Sequence, residues 1–314
     1  LEGLVTARGQ GRDLLTTSSD ATSTLAETAV EAQVDFRDGR IARIDADPAL
    51  PHGQTLVGAS AYSGFRRTVG ALIPDDLAAH TVRYQVVDDL PIALLLSGRV
   101  VRAEGIGLGE PGRMPPTDVC AGWVAGGFAV HGFSELGPPL TIGPRAGALS
   151  RPDDADSWHP LDPSVAHSTR RQRRLDVWIE DGIAMVDTAM QDSFVDRNGA
   201  ETAVHQYGVR ATVDLVTRRF VSVAAVPGRL PFPECPSAAS TADRLVGGPT
   251  TGLRDWVSAS LTGPATCTHL NDSLRSLEGV GALLDHLEPL VSTPTVPPGE
   301  GHHGADPGQH EEQQ

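Results

Sequence analysis

The strongest constraint on the fold is a pattern that occurs twice in the chain. Ala32-Gln33-Val34-Asp35 and Ala211-Thr212-Val213-Asp214 both alternate apolar and polar residues, the period of a half-buried strand. Downstream, Ile44-Asp45-Ala46-Asp47-Pro48 matches Val223-Ala224-Ala225-Val226-Pro227, Leu56-Val57-Gly58 matches Leu245-Val246-Gly247, and Gly64-Phe65-Arg66 matches Gly252-Leu253-Arg254. The order is kept, and the spacing between the last two pairs differs by one residue. Short Val, Leu and Gly strings also recur by chance. A conserved order of four matches favours a diverged internal duplication, two units of about 100 residues each.

Each unit reads as hairpin followed by helices, an α+β fold. In residues 1–98, Ala29–Phe36 and Ile41–Ala46 flank Asp38-Gly39, a tight-turn signal. Leu56 to Leu72 then spaces apolar residues at helical intervals until Pro74. Residues 99–170 form a Gly/Pro-rich connecting segment, and Trp123, Phe133 and Trp158 favour an ordered excursion over a free linker. In residues 171–289, Leu175–Ile179 and Ile183–Asp187 pair across Asp181-Gly182, and Val204–Asp214 pairs with Phe220–Val226. Helices are expected at about 236–246, 250–261, 269–277 and 280–289. Residues 290–314 are Pro-, Gly-, Glu- and Gln-rich, a disordered tail in which His302, His303 and His310 are solvated.

Composition narrows the function. A formal charge of −15 repels nucleic acid and anionic membranes. Every one of the 25 basic residues is Arg, so Schiff-base catalysis and the lysine-bearing phosphate loop are excluded. No apolar run approaches the roughly 18–20 residues that span a bilayer. The N-terminus lacks a secretory-leader pattern, and three cysteines suit a reducing compartment rather than a disulfide scaffold. The expectation is an acidic, soluble, cytoplasmic protein whose partner is a small molecule or another protein.

The chemically pointed residues lie in the second unit. Pro233-Glu234-Cys235-Pro236 precedes Cys267-Thr268-His269-Leu270-Asn271-Asp272. Two thiols and an imidazole suit a soft divalent metal such as Zn²⁺, with Cys235, Cys267 and His269 as ligands and Asp272, His205, His159, Cys120 or water as the fourth. The same residues suit nucleophilic catalysis, with Cys267 or Cys235 attacking and His269 as base, since a helix N-terminus favours a thiolate. Plain buried thiols are the competing reading, and a disulfide is a further one. On a helix, Cys267 and His269 would diverge by about 200°, so a shared centre requires a turn there. The first unit carries Thr81-Val82-Arg83-Tyr84 at the corresponding place, without thiol or imidazole. Asp187, Asp192 and Asp196 form a second, acidic candidate, against the plainer reading of a solvated strand edge and turn.

The second half resembles a bacterial family, domain of unknown function 2889, through Leu230-Pro231-Phe232-Pro233-Glu234-Cys235-Pro236, Leu245-Val246-Gly247 and the Cys267–Asp272 string. Asp118–Trp123, Trp158-His159 and Arg171–Val177 extend the resemblance. The family implies no activity. A weaker similarity links the hairpin, cysteine, helix and Leu-x-Gly order to NifU/IscU/SufE-type scaffolds of iron–sulfur assembly, which present three cysteines. The functional expectation is therefore thiol- or metal-assisted acyl chemistry at Cys235, Cys267 and His269, or alternatively a non-enzymatic metal or iron–sulfur carrier.

Overall fold

The computed structural model describes residues 3–103, 114, 116–134 and 137–291. All but the first two residues of the expected tail lie outside them. The described chain is α+β, built on two antiparallel meanders. The first sheet runs β1 (Leu4–Thr16), β2 (Thr22–Asp35) and β3 (Ile41–Asp47), followed by α1 (Phe65–Leu72), α2 (Pro74–Ala78), α3 (Val82–Asp88) and α4 (Leu90–Ala103). After α5 (Phe128–His131), the second sheet runs β4 (Ser168–Glu180), β5 (Ile183–Val195), β6 (Glu201–Asp214) and β7 (Arg219–Pro227). A 3-10 run at Cys235–Leu245 leads to α6 (Leu253–Ser260), α7 (Thr268–Ser276) and α8 (Val280–Val291). No helix among the described residues is long and apolar enough to cross a membrane.

Strand alternation places one core on each sheet. Val30, Ala32 and Val34 of β2 bury alternate side chains against Ile41, Ile44, Phe65, Val69 and Leu94. Tyr207, Val209, Ala211 and Val213 of β6 do the same against Phe220, Leu245, Val257, Leu270, Leu274 and Leu284. Aliphatic side chains carry most of this burial, as a chain with 4% aromatic residues requires.

The hairpins form where the period-two runs and the Asp-Gly turns place them, and both strands around Asp181-Gly182 are longer than the sequence pattern indicates. The helical run expected over Leu56 to Leu72 is two pieces. A 3-10 turn ends at Leu56, and α1 begins only after Gly64, which sits at φ 75°. Gly252 holds the equivalent place before α6 at φ 71°; both are left-handed positions that glycine tolerates without strain. The two units also share a register shift, between Gln33 and Val34 in the first and Thr212 and Val213 in the second. The Gly58 N–H donates to the Ile41 carbonyl as the Gly247 N–H does to that of Phe220.

The described part of the middle segment packs on the second sheet. Ala203 N–H donates to the Pro144 carbonyl and Ala146 N–H to that of Glu201, while Gln191 Nε2 donates to the Gly147 carbonyl at 2.9 Å. α4 runs through the expected boundary at 98 as far as Ala103; Gly98 weakens the helix by about 1 kcal/mol relative to Ala but does not end it.

Candidate metal centre

The site begins with strand register. β4, β5 and β6 place Arg171 opposite Asp192 and Asp192 opposite His205, so three polar side chains form one row across the sheet. The row lies on the core face, continuing past Met190 and Tyr207 toward the open ends of the strands. A register shift falls directly beyond it, between Asp192 and Ser193. Such a bulge re-aims the side chains beside it. The next row, Gln172, Gln191 and Gln206, points to the other face and is joined by side-chain hydrogen bonds of 2.8 and 2.7 Å.

α7 closes over the polar row. Its N-cap is Cys267, in extended conformation, and the first turn delivers His269 onto His205. The two imidazoles stack, with centroids 3.6 Å apart and planes 18° from parallel. Asp192 Oδ2 lies 3.4 Å from His205 Nδ1 and 3.7 Å from His269 Nε2. One donor atom from each of Asp192, His205 and His269 lies within 4.8 Å of the other two. His205 Nδ1 is buried and makes no hydrogen bond. On the far side of the second ring, His269 Nδ1 faces Thr268 Oγ1 at 3.4 Å, which leaves Nε2 toward Asp192.

Asp192 is fully buried. Arg171 donates to it twice, Nε to Oδ1 at 2.7 Å and Nη2 to Oδ2 at 3.0 Å. Burial alone would raise its pKa; the Arg171 charge and the contact with His205 reverse that and hold the carboxyl well below the usual carboxylate range. Behind this pair runs a chain of alternating charges that joins the units. Arg171 Nη1 donates to Asp272 Oδ2 at 2.9 Å, Arg66 Nη2 reaches Asp272 Oδ1 at 3.1 Å, and Arg275 closes on the same carboxylate. Arg66 and Arg254 both pair with Asp88, and Arg173 pairs with Asp89. A cavity of about 30 Å³ lies against this network between α3 and α7, lined by Tyr84, Arg173, Arg254 and Arg275 among others. It has room for a water molecule rather than an organic substrate.

The structure divides the residues singled out from sequence. Cys267 and His269 lie near one another: burial would raise the Cys267 pKa, but the neighbouring His269 side chain lowers it below the ordinary thiol value. Cys235 stays outside the donor group. Its sulfur packs against Gly122, and burial pushes its pKa up to about 12. Among the described residues, Cys235, Cys267 and His269 do not form a group of metal donors; Asp192, His205 and His269 do. Cys120, Cys235 and Cys267 are all buried and free; the Tyr207 hydroxyl donates to the Cys235 carbonyl at 3.4 Å, and burial and Cys267 raise its pKa. Of the proposed fourth ligands, His205 joins the centre, whereas Asp272 is committed to three arginines. The Asp187, Asp192 and Asp196 set does not converge. Five residues along a strand reverse the face, so Asp187 meets Arg174, and Asp196 caps the turn into β6 through Asn198 and Ala200 N–H.

An N₂O donor set of two imidazoles and one carboxylate, with further positions open, suits d-block divalent cations such as Zn²⁺ or Fe²⁺. Residues 169–282 match the model of a family described as a protein of unknown function (DUF2889). This is the family that the Cys-Thr-His-Leu string resembles, and the match contains Asp192, His205, Cys235, Cys267 and His269. No curated protein and no solved structure matches the chain.

Proposed function

We propose that the chain binds one divalent d-block cation at Asp192, His205 and His269, and that the bound ion serves acyl hydrolysis. The observation that carries this reading is the convergence of three donor atoms within 4.8 Å of one another, two from a cross-strand pair and one from the first turn of α7. Asp192, His205 and His269 would hold such an ion, which would supply Lewis-acid activation of water at neutral pH. The protein's part is positional. Arg171 fixes the Asp192 carboxylate, Thr268 orients the His269 ring through Nδ1, and Cys267 braces that ring from the N-cap. Partners of this kind set tautomer and ring orientation in metal sites.

The parallel turns, register shifts and glycine N-caps of the two units support the duplication reading, with one structural unit and one functional unit. In the first unit Thr81 stands where Cys267 stands in the second, and its hydroxyl accepts from Tyr84 N–H as an ordinary cap.

A second reading, a carrier that holds metal or an iron–sulfur cluster through thiolates, is favoured by three free cysteines, all buried in the same half of the fold. One experiment separates the readings. Untagged full-length protein with His302, His303 and His310 replaced by Ala is stripped with chelator and titrated with Zn²⁺ by calorimetry and with Co²⁺ by visible absorption. Stoichiometric binding that is lost in His205→Ala and His269→Ala but kept in Cys235→Ser supports the N₂O centre. Binding that survives both histidine changes sinks it, and binding lost in Cys235→Ser transfers the weight to the thiolates.

A further inference from the structure

Away from the candidate metal centre, one buried and two half-buried arginines lie together, with no carboxylate paired to them among the described residues. Arg99 and Arg102 lie on α4, and Arg229 follows β7. Arg99 is only 8% exposed, and the Nε of all three is buried with no hydrogen-bond partner. Among the described residues no carboxylate pairs with any of them. The contrast with the rest of the molecule is sharp: Arg66, Arg83, Arg171, Arg173, Arg174, Arg254 and Arg275 each pair with an aspartate. A chain with a net charge of −15 does not lack carboxylates to supply.

The contacts the three arginines do make are neutral. Arg99 donates to the Thr141 carbonyl and lies 5.4 Å over the Phe194 ring. Arg229 Nη2 donates to the Ile142 carbonyl at 3.2 Å. The Arg102 side chain packs so closely on Gly137 that an added Cβ there would fall 2.6 Å from its Cδ. Residues 137–143 are thus held over the cluster by the arginines themselves. Burial first, then the neighbouring Arg102 and Arg229 charges, push the Arg99 pKa down to about 10. The negative end of the α4 dipole offsets only part of one charge. Buried cations are expected to be paired, and three unpaired guanidinium Nε–H groups in one place are donors awaiting an acceptor.

We propose that Arg99, Arg102 and Arg229 form a binding site for an oxyanion group, a phosphate or a carboxylate, of a small-molecule ligand. Guanidinium forks match both groups geometrically, and the neutral Phe194 and carbonyl wall leaves the anion as the missing charge. The site does not involve the metal donors, so it stands or falls independently of them.

The test uses full-length protein in thermal denaturation and calorimetry at fixed ionic strength, with inorganic phosphate in one arm, acetate in a second and chloride as the reference. Either oxyanion should raise the melting temperature saturably, by about 5 °C at a hundredfold excess over Kd. Phosphate alone identifies a phosphoester ligand, acetate alone a carboxylate, and both a site that reads charge. Arg102→Met and Arg229→Met, each less buried than Arg99, should bind about tenfold or more weakly. In chloride they should melt no lower than the parent, because one unpaired like charge is gone. No saturable response to either oxyanion, or an equal response in both variants, overturns the proposal.

Discussion

Asp272→Asn tests the charge chain at its most connected point. Asp272 is 2% exposed and accepts from Arg171 at 2.9 Å, from Arg66 at 3.1 Å and from Arg275. Asparagine preserves the shape, removes the charge and turns an N–H₂ toward a guanidinium. Arg171 keeps Asp192 and Arg66 keeps Asp88, whereas Arg275 has no other carboxylate among the described residues. Breaking a buried pair by removing one partner costs about 3–5 kcal/mol, and the retained pairs place this change near the lower end, about 3 kcal/mol. The melting temperature should fall by about 5 °C. Arg275, Arg171 and Arg66 overcome burial and hold the Asp272 carboxyl well below the ordinary carboxylate range. Its contribution is therefore complete above the unfolded value near 3.9 and is lost as pH falls through and below it. Urea titrations of parent and variant between pH 7 and 3 should show curves that converge on the acid side. Asp272→Asn with Arg275→Met should recover much of the loss, since an apolar replacement of a buried pair is often neutral. A single variant within about 0.5 kcal/mol of the parent at pH 7, the scatter of ordinary surface changes, or a difference that widens on acidification, would refute the argument.

Gly143→Ala should lower stability by at least about 2 kcal/mol, because its Cβ would fall 1.8 Å from the Ala203 carbonyl oxygen; hydrogen exchange at Ala203 and Ala146 reports whether the middle segment lifts from β6. Cys267→Ser should leave stability unchanged or raise it by up to about 1 kcal/mol through a better N-cap, while weakening Zn²⁺ affinity by about tenfold or more through a less constrained His269. A destabilised variant with undiminished affinity would show that Cys267 is only a packing residue.

The hairpins were legible because alternation and Asp-Gly turns act locally. β1 escaped because Gly9 and Gly11 interrupt its apolar face; they leave room for Val86 and Val82 of α3, a tertiary reason that no local window contains. Of the candidate centre, His269 is legible as a rare residue, set beside Cys267 on one short string. The other half is a product of register. Counting ten residues outward from each side of the Asp181-Gly182 turn reaches Arg171 and Asp192, which are indeed paired. A two-residue hairpin turn fixes that register, so the ion pair was present in the sequence as arithmetic. His205 was named only as one fourth-ligand candidate among several. The Asp192–Ser193 register shift, following the Asp196–Gly199 turn, displaces its pairing by one residue, and bulges have no sequence signal of comparable strength.

The N-cap of α7 connects these observations. Ser, Thr, Asp and Asn are preferred at helix N-caps because their oxygen accepts a first-turn N–H, and losing that bond costs about 0.5–2 kcal/mol. α3 has such a cap in Thr81. α7 has Cys267, which makes no capping hydrogen bond, although its helix carries Leu270 and Leu274 into the core and Asp272 into the charge chain. A weaker cap on the helix that joins core, charge chain and donor row is a local sacrifice with no local compensation. The next residues of the same turn bear on it: Cys267 precedes His269 by two residues at the start of α7, and in the proposed centre His269 is the donor that α7 brings to Asp192 and His205. A weaker cap beside two stacked imidazoles and a buried carboxylate is a local departure from folding preference of the kind expected at functional sites, and it supports the proposed centre.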